Sequence, residues 1–220
     1  MCEALRRQLE TEKVGDSLAV VLTGSGSIFS AGVDLFRLLK EDKSHTLQFL
    51  DAFANLLETL FHFPKPIIAA INGHAIAGGC VLACACDERI MAAGPGKIGV
   101  PELLVGVPFP SLAIRILQNA IPQQQLTRLI YSGETVSAEE ALARQIVGEV
   151  ATAEALPARA QQLAQSYGAL SPQAFSRTKQ SLRAGTTNDS LLDREVVEVW
   201  TSEQTRQHIR AYLETTLKKK

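Results

Sequence analysis

The sequence predicts an α/β fold built on parallel strands, and two observations support this prediction. Two short apolar runs, residues 18–22 and 67–71, each end at a polar residue followed by a glycine, which is typical of buried strands. Each run leads through small residues into a helix-like segment. Parallel strands joined by crossover helices satisfy this order of strand, turn and helix.

The composition limits the class of protein. A chain of 220 residues with 46% hydrophobic content can build one sizeable core. A formal net charge of −1, with only a short lysine run at residues 218–220, argues against nucleic acid as the main partner. No run of 18 uncharged apolar residues occurs, so we expect no transmembrane helix.

The cysteines point to packing and not to a metal. Cys80, Cys84 and Cys86 crowd into one predicted buried helix, where they act as small hydrophobes in a reducing compartment. The chain has no Cys-x-x-Cys pair, and its four histidines are scattered. The sequence therefore predicts no metal site.

The first half of the chain contains clear helix and strand signals. Residues 3–12 predict a helix, and residues 45–63 carry apolar side chains at three- and four-residue spacing, which indicates an amphipathic helix. Pro64 ends that helix. Residues 80–86 predict a buried helix after a glycine pair, and residues 89–93 predict the next strand.

Later elements depend mainly on capping residues. Residues 97–100 and 147–151 predict short strands, the second at a sheet edge. Ser111 is expected to cap a helix through about residue 118, and Pro122 is expected at the start of a helix that stops at Gly133. Ser137 and Glu140 are expected to form a capping box at the start of the next helix.

The chain divides into an α/β core and a helical tail. We assign residues 1–150 to the core and residues 151–220 to the tail, where the pattern becomes wholly helical. Helix starts are predicted at Ser171-Pro172, Asn188-Asp189 and Ser202. The tail is expected to cover a face of the core or to bind another subunit.

Two loops of similar design form the candidate site. Residues 29–34 and 77–79 each lie between a strand signal and a helix start. If neighbouring parallel strands carry them, both helix N-termini point to the same end of the sheet, and one N–H group from each loop can bind the same negative oxygen. Asp34 could instead serve simply as a helix cap.

Several motifs together resemble the crotonase superfamily of enoyl-CoA hydratases and isomerases. The matching segments are LAVVLTG at 18–24, FSAGVDL at 29–35, KPIIAAINGHAIAGGC at 65–80, ACDERI at 85–90, GKIGVPELLVG at 96–106 and YSGETVSAEEALARQIVGEV at 131–150. The resemblance implies a spiral of ββα units with a C-terminal helical region. It also implies an acyl-CoA thioester substrate, no cofactor beyond the coenzyme A of that substrate, and homotrimers or dimers of trimers.

The resemblance also assigns roles to individual residues. It implies that the oxyanion donors are the backbone N–H groups of Val33 and Gly78. Glu102, in the Val-Pro-Glu segment, corresponds to the catalytic acid/base. The wider set of substrate-binding and coenzyme A-binding residues implied by the resemblance is Ala31, Asp34, Gly79 and Phe109.

One departure from the family pattern separates the possible reactions. Hydratases of this family use two glutamates, but the first of these positions is Val81 here. Adding water to a double bond needs two acid/base groups, whereas moving a double bond needs one. The single Glu102 therefore favours a Δ3,Δ2-enoyl-CoA isomerase of fatty acid oxidation. We expect apolar neighbours such as Leu103, Val107 and Phe109 to raise the pKa of Glu102.

Alternatives remain at this stage. A hydratase or another crotonase reaction would need a second group that the sequence does not identify, and a catalytically impaired relative could act as a subunit or binding module. Asp87 and Glu88 are rival carboxylates, expected to act structurally, in a salt bridge or cap with Arg89.

The beginning of the chain departs from the family as well. Family members normally start with a strand or hairpin before the first helix, so we expect about 25–30 residues that contain this strand to be missing. Its absence is expected to expose a sheet edge and to weaken the grip on coenzyme A. Both the mitochondrial matrix and the cytoplasm remain open as compartments.

Overall fold

The computed structural model describes residues 1–186 and 190–217. The helix start expected at Asn188-Asp189 and the terminal lysines 218–220 lie outside these ranges. No helix within the described residues is long and apolar enough to cross a membrane.

The strands form two four-stranded sheets. The eight strands of the described residues are β1 (Val20–Thr23), β2 (Ile28–Ser30), β3 (Ile67–Ile71), β4 (His74–Ile76), β5 (Glu88–Ala92), β6 (Ile98–Gly99), β7 (Thr135–Val136) and β8 (Glu149–Ala151). The first sheet has the order β1-β3-β5-β8 and is parallel throughout, which confirms the predicted class. β8 lies at its edge as expected, and β1 forms the other edge.

Of the second sheet, local sequence pattern predicted one strand, β6, within the strand expected at residues 97–100. It has the order β2-β4-β6-β7, with β7 antiparallel to its neighbour β6. Residues 29–34 were interpreted as a loop, but β2 occupies their first part and pairs with β4. Strands of two or three residues carry no readable side-chain period, so the sequence gives little sign of them.

Helices alternate with pairs of strands in the first part of the chain, and the C-terminal part is mostly helical. The twelve helices of the described ranges are α1 (Cys2–Val14), α2 (Leu35–Lys40), α3 (Lys43–Phe61), α4 (Gly78–Ala85), α5 (Glu102–Val105), α6 (Ser111–Ala120), α7 (Gln123–Ser132), α8 (Ala138–Ala143), α9 (Leu156–Gly168), α10 (Pro172–Leu182), α11 (Ser190–Trp200) and α12 (Glu203–Leu217). Each of the first three strand pairs places one strand in each sheet and is followed by a helix, which is a ββα repeat.

The core lies between the first sheet and helices α3, α4 and α6. β3 is buried on both faces, because alternate residues face the main core cluster on one side and α9 on the other. A second apolar cluster joins Leu38 and Leu50 of the core to Trp200 and Ile209 of the tail. The helical tail therefore covers two separate regions of the core; the boundary at residue 150 stays a prediction.

Most of the predicted caps are present. Ser137 and Glu140 form the capping box, Ser171 caps α10, and the Ser202 hydroxyl accepts the N–H of Thr205 at the start of α12. The cap predicted at Ser111 is wrong, because Pro110 occupies the N-cap and Ser111 is the first helical residue. Its amide and hydroxyl instead donate to the carboxylate of Asp193.

A buried ion cluster ties the tail to α4. The carboxylate of Asp87 lies 2.7 Å from Lys179 Nζ and 2.9 Å from Arg183 Nη2, both on the tail side of the molecule. Arg183 also donates to the carbonyls of Phe61 and Ala85, near the ends of α3 and α4. The expected pairing of Asp87 with Arg89 is therefore wrong, since Arg89 donates to carbonyl oxygens.

Candidate active site

An apolar cavity of about 230 Å³ lies where the second sheet meets α3, α4, α5 and the tail. Ala31 and Val33 border it from the loop after β2, and Gly78 borders it from the start of α4. Glu102 and Phe109 border it from α5 and the segment that follows. The fold thus brings five of the seven predicted site residues to one cavity.

The two oxyanion loops are in direct contact. β2 and β4 are neighbouring parallel strands, so the loops that follow them leave the sheet side by side. Gly32 has a left-handed backbone with φ +82°, and a Cβ built on it would lie 3.3 Å from the amide nitrogen of Gly78. Neither the Val33 nor the Gly78 amide donates to a carbonyl among the hydrogen bonds of the described residues.

The backbone at the start of α4 is strained. Ala77, the N-cap residue, has φ 56° and ψ −127°, a conformation that residues with a Cβ rarely adopt. Its N–H donates to Gly99 O at 2.8 Å, and its carbonyl accepts the N–H of Cys80 at 2.9 Å. These bonds hold the turn that directs the Gly78 amide outward, with the positive end of α4 behind it.

Gly79 acts in packing and does not border the cavity. A Cβ on Gly79 would overlap the carbonyl oxygen of Ser30, so only glycine allows α4 to approach β2 this closely. Asp34 likewise lies away from the cavity lining, because its carboxylate caps α2 by accepting the N–H of Arg37 at 3.0 Å. The simpler interpretation of Asp34 as a helix cap fits the structure, and a substrate role for Asp34 or Gly79 stays a prediction.

Glu102 is a buried carboxylate without a full set of partners. It is the first residue of α5, is 9% exposed, and borders the cavity. Its Oε2 atom has no hydrogen-bond partner within the described residues. Burial raises the pKa of Glu102 to about 7, and a backbone hydrogen bond partly opposes this rise.

The neighbours of Glu102 differ in part from those expected. Val107 and Phe109 are buried and border the same cavity, in agreement with their predicted effect on the carboxyl group. Leu103 is 46% exposed and does not border the cavity, so its expected contribution to the raised pKa is wrong. In a helix, consecutive residues point in different directions, which places Glu102 inward and Leu103 outward.

The position of the second family glutamate is apolar. Val81 is 1% exposed and borders the cavity one turn after Gly78. Among the cavity-lining residues of the described ranges, Glu102 is the one carboxylate. The described residues also contain no group of three histidine, cysteine or acidic side chains placed to hold a metal.

Sequence reasoning missed the aromatic wall of the cavity. Phe49 and Phe53 lie in the amphipathic helix predicted at residues 45–63, whose apolar side chains are expected in the core, but their stacked rings border the cavity with centroids 5.8 Å apart. Trp200 and Tyr212 close the cavity from the tail. The available signal was the expectation that the tail covers a face of the core, together with the presence of a single tryptophan in the chain.

The fold and this site agree with one class of protein, the enzymes that act on enoyl-CoA thioesters. The chain belongs to the enoyl-CoA hydratase/isomerase family, which matches it over residues 1–218. It is therefore an enzyme of this family, and the resemblance to the crotonase superfamily is confirmed.

Individual relatives include both hydratases and isomerases. The chain is 35% identical over 205 residues to a probable enoyl-CoA hydratase of Bacillus subtilis, covering 89% of this chain and 78% of that protein. It is 29% identical over 208 residues to the mitochondrial enoyl-CoA delta isomerase 1 of Mus musculus, covering 91% of this chain and 72% of that protein. The crystal structure of human mitochondrial delta3-delta2-enoyl-CoA isomerase superposes with a TM-score of 0.92 at 28% identity, over 100% of this chain and 88% of that one. The predicted crotonase-like fold is thus confirmed.

Proposed function

We propose that this enzyme is a Δ3,Δ2-enoyl-CoA isomerase, which converts 3-enoyl-CoA to trans-2-enoyl-CoA with Glu102 as its acid/base. The observation that carries the proposal concerns the part of the chain that the structure describes. There, one apolar cavity is bordered by a single carboxylate with an unpartnered oxygen and by two residues whose amides donate to no carbonyl. The relative from Mus musculus and the human structure, both isomerases by name, support the same reaction.

The proposed reaction moves one proton between two carbons. The Glu102 carboxylate removes a proton from C2 of the 3-enoyl thioester, and the electron pair shifts to the thioester oxygen to form a dienolate. The N–H groups of Val33 and Gly78 donate to that oxygen. The protonated Glu102 then returns its proton to C4, the double bond becomes C2=C3, and the carboxylate is restored.

The electrostatics of the site suit this sequence of steps. A pKa of about 7 lets the carboxyl group of Glu102 both accept and release a proton near neutral pH. Two amides aimed at a developing oxyanion in an apolar site stabilise it strongly, and loss of one such donor typically costs about 3–4 kcal/mol. The partial positive charge at the start of α4 adds to the effect at Gly78.

The direct test measures isomerisation of 3-hexenoyl-CoA by the absorbance of the conjugated product. Glu102→Gln should lower kcat by at least about 10³-fold, because the same group acts as base and acid. Glu214→Gln, at an exposed glutamate of α12, is the matched control and should retain wild-type activity. Full activity of Glu102→Gln would overturn the assignment.

A hydratase remains the second candidate, because relatives such as that from Bacillus subtilis carry hydratase names. Val81 supplies no acid/base group, so water would have to be held by another side chain. The hydroxyl groups of Ser30 and Tyr212 also border the cavity. Hydration of crotonyl-CoA at a rate comparable to isomerisation would favour this candidate.

The proposal extends to the substrate and the assembly. The cavity takes the acyl part of an acyl-CoA, with Ala31 at the adenine end of coenzyme A, and the reaction needs no further cofactor. We expect a homotrimer or a dimer of trimers, which sedimentation of the purified protein can measure. A mitochondrial relative from Mus musculus supports the mitochondrial matrix, and both this compartment and the cytoplasm stay predictions.

A further inference from the structure

Trp200 lies between the active-site cavity and a second pocket, because it borders both. The first is the cavity that contains Glu102. The second is a pocket of about 220 Å³ between the start of α3 and α12. Among the described residues, Trp200 is the one that lines both spaces.

The indole ring is held firmly in this position. Trp200 is 6% exposed, and its Nε1–H donates to the carbonyl of Pro108 at 2.8 Å. The ring packs at an angle against Phe49, with centroids 6.2 Å apart. A hydrogen bond from the ring nitrogen and an aromatic contact with Phe49 fix the orientation of the indole, so it acts as a wall and not as a freely moving side chain.

A row of aromatic rings connects the oxyanion site to Trp200. The Phe53 ring lies against Gly78, because a Cβ on that glycine would be 3.1 Å from the ring. Phe53 stacks on Phe49, and Phe49 contacts Trp200. An apolar chain whose thioester oxygen is bound at Gly78 would therefore run along these rings and meet Trp200 at the end.

The second pocket could accept an apolar chain if the wall were absent. Its inner lining includes Leu38, Thr46 and Ile209, which are buried. Its rim carries Glu41 and Lys43, which are exposed and keep the mouth of the pocket hydrated. The space behind Trp200 is thus bordered by the apolar side chains of Leu38 and Ile209, and the guanidinium of Arg206, which also lines it, donates to the carbonyl of Leu38.

We propose that Trp200 is the specificity-determining residue that ends the acyl cavity and limits the length of the acyl chain. The inference rests on the proposed function in one respect, that the acyl chain of the thioester occupies this cavity. Replacing the indole by a small side chain joins the two spaces and admits longer chains. Trp200 takes no part in proton transfer, so its effect is on substrate length.

The experiment measures binding of saturated acyl-CoAs of increasing length by calorimetry. Each methylene buried in the cavity should tighten binding by about fourfold. For the wild-type enzyme this gain should stop at the length at which the chain reaches Trp200. For Trp200→Ala the gain should continue over further methylenes, whereas Trp200→Phe should stop near the wild-type length. Ile209→Ala, which enlarges the second pocket without opening the wall, should also leave the limit unchanged.

The wild-type enzyme supplies an independent measurement, because Trp200 is its only tryptophan. The fluorescence emission of Trp200 should shift when the bound acyl chain has the length at which the affinity stops rising. Binding of acetyl-CoA, whose acyl chain is too short to reach Trp200, should leave the emission unchanged. An unchanged length limit in folded Trp200→Ala, or emission that does not respond to any bound chain, would overturn the inference. Failure of the wild type to isomerise 3-enoyl-CoAs that it does bind would overturn the proposed function alone.

Discussion

Replacing Glu102 by glutamine should have opposite effects on activity and on stability. The carboxyl group is buried with an unpartnered oxygen, so its ionised form is poorly solvated in the folded protein. Glutamine keeps the shape of the side chain but cannot ionise. We therefore expect Glu102→Gln to lose isomerisation activity. Its free energy of unfolding should exceed that of the wild type by more above pH 7 than at acidic pH.

The raised pKa determines the size and the direction of the stability change. Burial raises the pKa of Glu102 from the ordinary 4.5 to about 7 in the folded state. Between these values the folded protein keeps a proton that the unfolded chain has lost, so the free energy of unfolding falls as the pH rises. The penalty is absent well below pH 4.5 and complete above pH 7, where it amounts to about 3 kcal/mol.

Urea unfolding at pH 5 and pH 8 tests this reasoning. The wild type should lose about 2–3 kcal/mol more stability over this interval than Glu102→Gln, because the other titrating groups are common to both proteins. Glu214→Gln, at an exposed site, should follow the wild type. If the difference between the wild type and Glu102→Gln is independent of pH, Glu102 does not carry the raised pKa and the reasoning fails.

Four further results are expected. The kcat/KM for isomerisation should rise with pH and level off above about 7, since Glu102 must be ionised to act as a base; a pH–rate profile measures this. Gly79→Ala should lower both kcat and the thermal unfolding temperature, with a stability loss of about 1–3 kcal/mol, because its Cβ would overlap Ser30 O. Val81→Glu should destabilise the buried cavity but introduce hydration of crotonyl-CoA, measured by loss of enoyl absorbance. Asp87→Asn should lower the unfolding free energy by about 3–5 kcal/mol in urea, because two buried cations lose their counter-charge.

Each of these results has a clear contrary outcome. A flat pH–rate profile between pH 5 and 8 would remove Glu102 as the base. Wild-type stability of Gly79→Ala would show that the close approach to Ser30 is not required. No hydration by folded Val81→Glu would mean that a second carboxylate is not the missing element, and a small effect of Asp87→Asn would mean that the ion cluster contributes little.

The sequence predicted the parts of the fold that local pattern controls. The buried strand at residues 67–71 and the amphipathic helix before it have long apolar patterns, and both are present with small differences at their ends. The capping box at Ser137 depends on residues three positions apart, so it was also readable. Of the second sheet only β6 was predicted, because strands as short as β2 are held by backbone pairing, which leaves no mark on the side-chain pattern.

Long-range contacts explain the other differences. Asp87 was assigned to the adjacent Arg89, but its partners Lys179 and Arg183 lie more than ninety residues further along the chain. The same applies to the aromatic wall, because Trp200 reaches Phe49 only after the tail folds back over α3. Glu102 itself was chosen by family resemblance, since a glutamate after a proline is more often exposed, and its burial is a property of the folded chain.

The ion cluster has a consequence for exchanging parts between relatives. The first amide of α4 faces the cavity, while Arg183 of the tail braces the carbonyls at the other end of that helix. A chimera that keeps residues 1–150 but takes its tail from another family member must therefore also supply the cations that match Asp87. Without these cations, the foreign tail would not fix the C-terminal end of α4. The Gly78 amide at the other end of α4 would then lose its alignment, although no residue of the oxyanion site had changed.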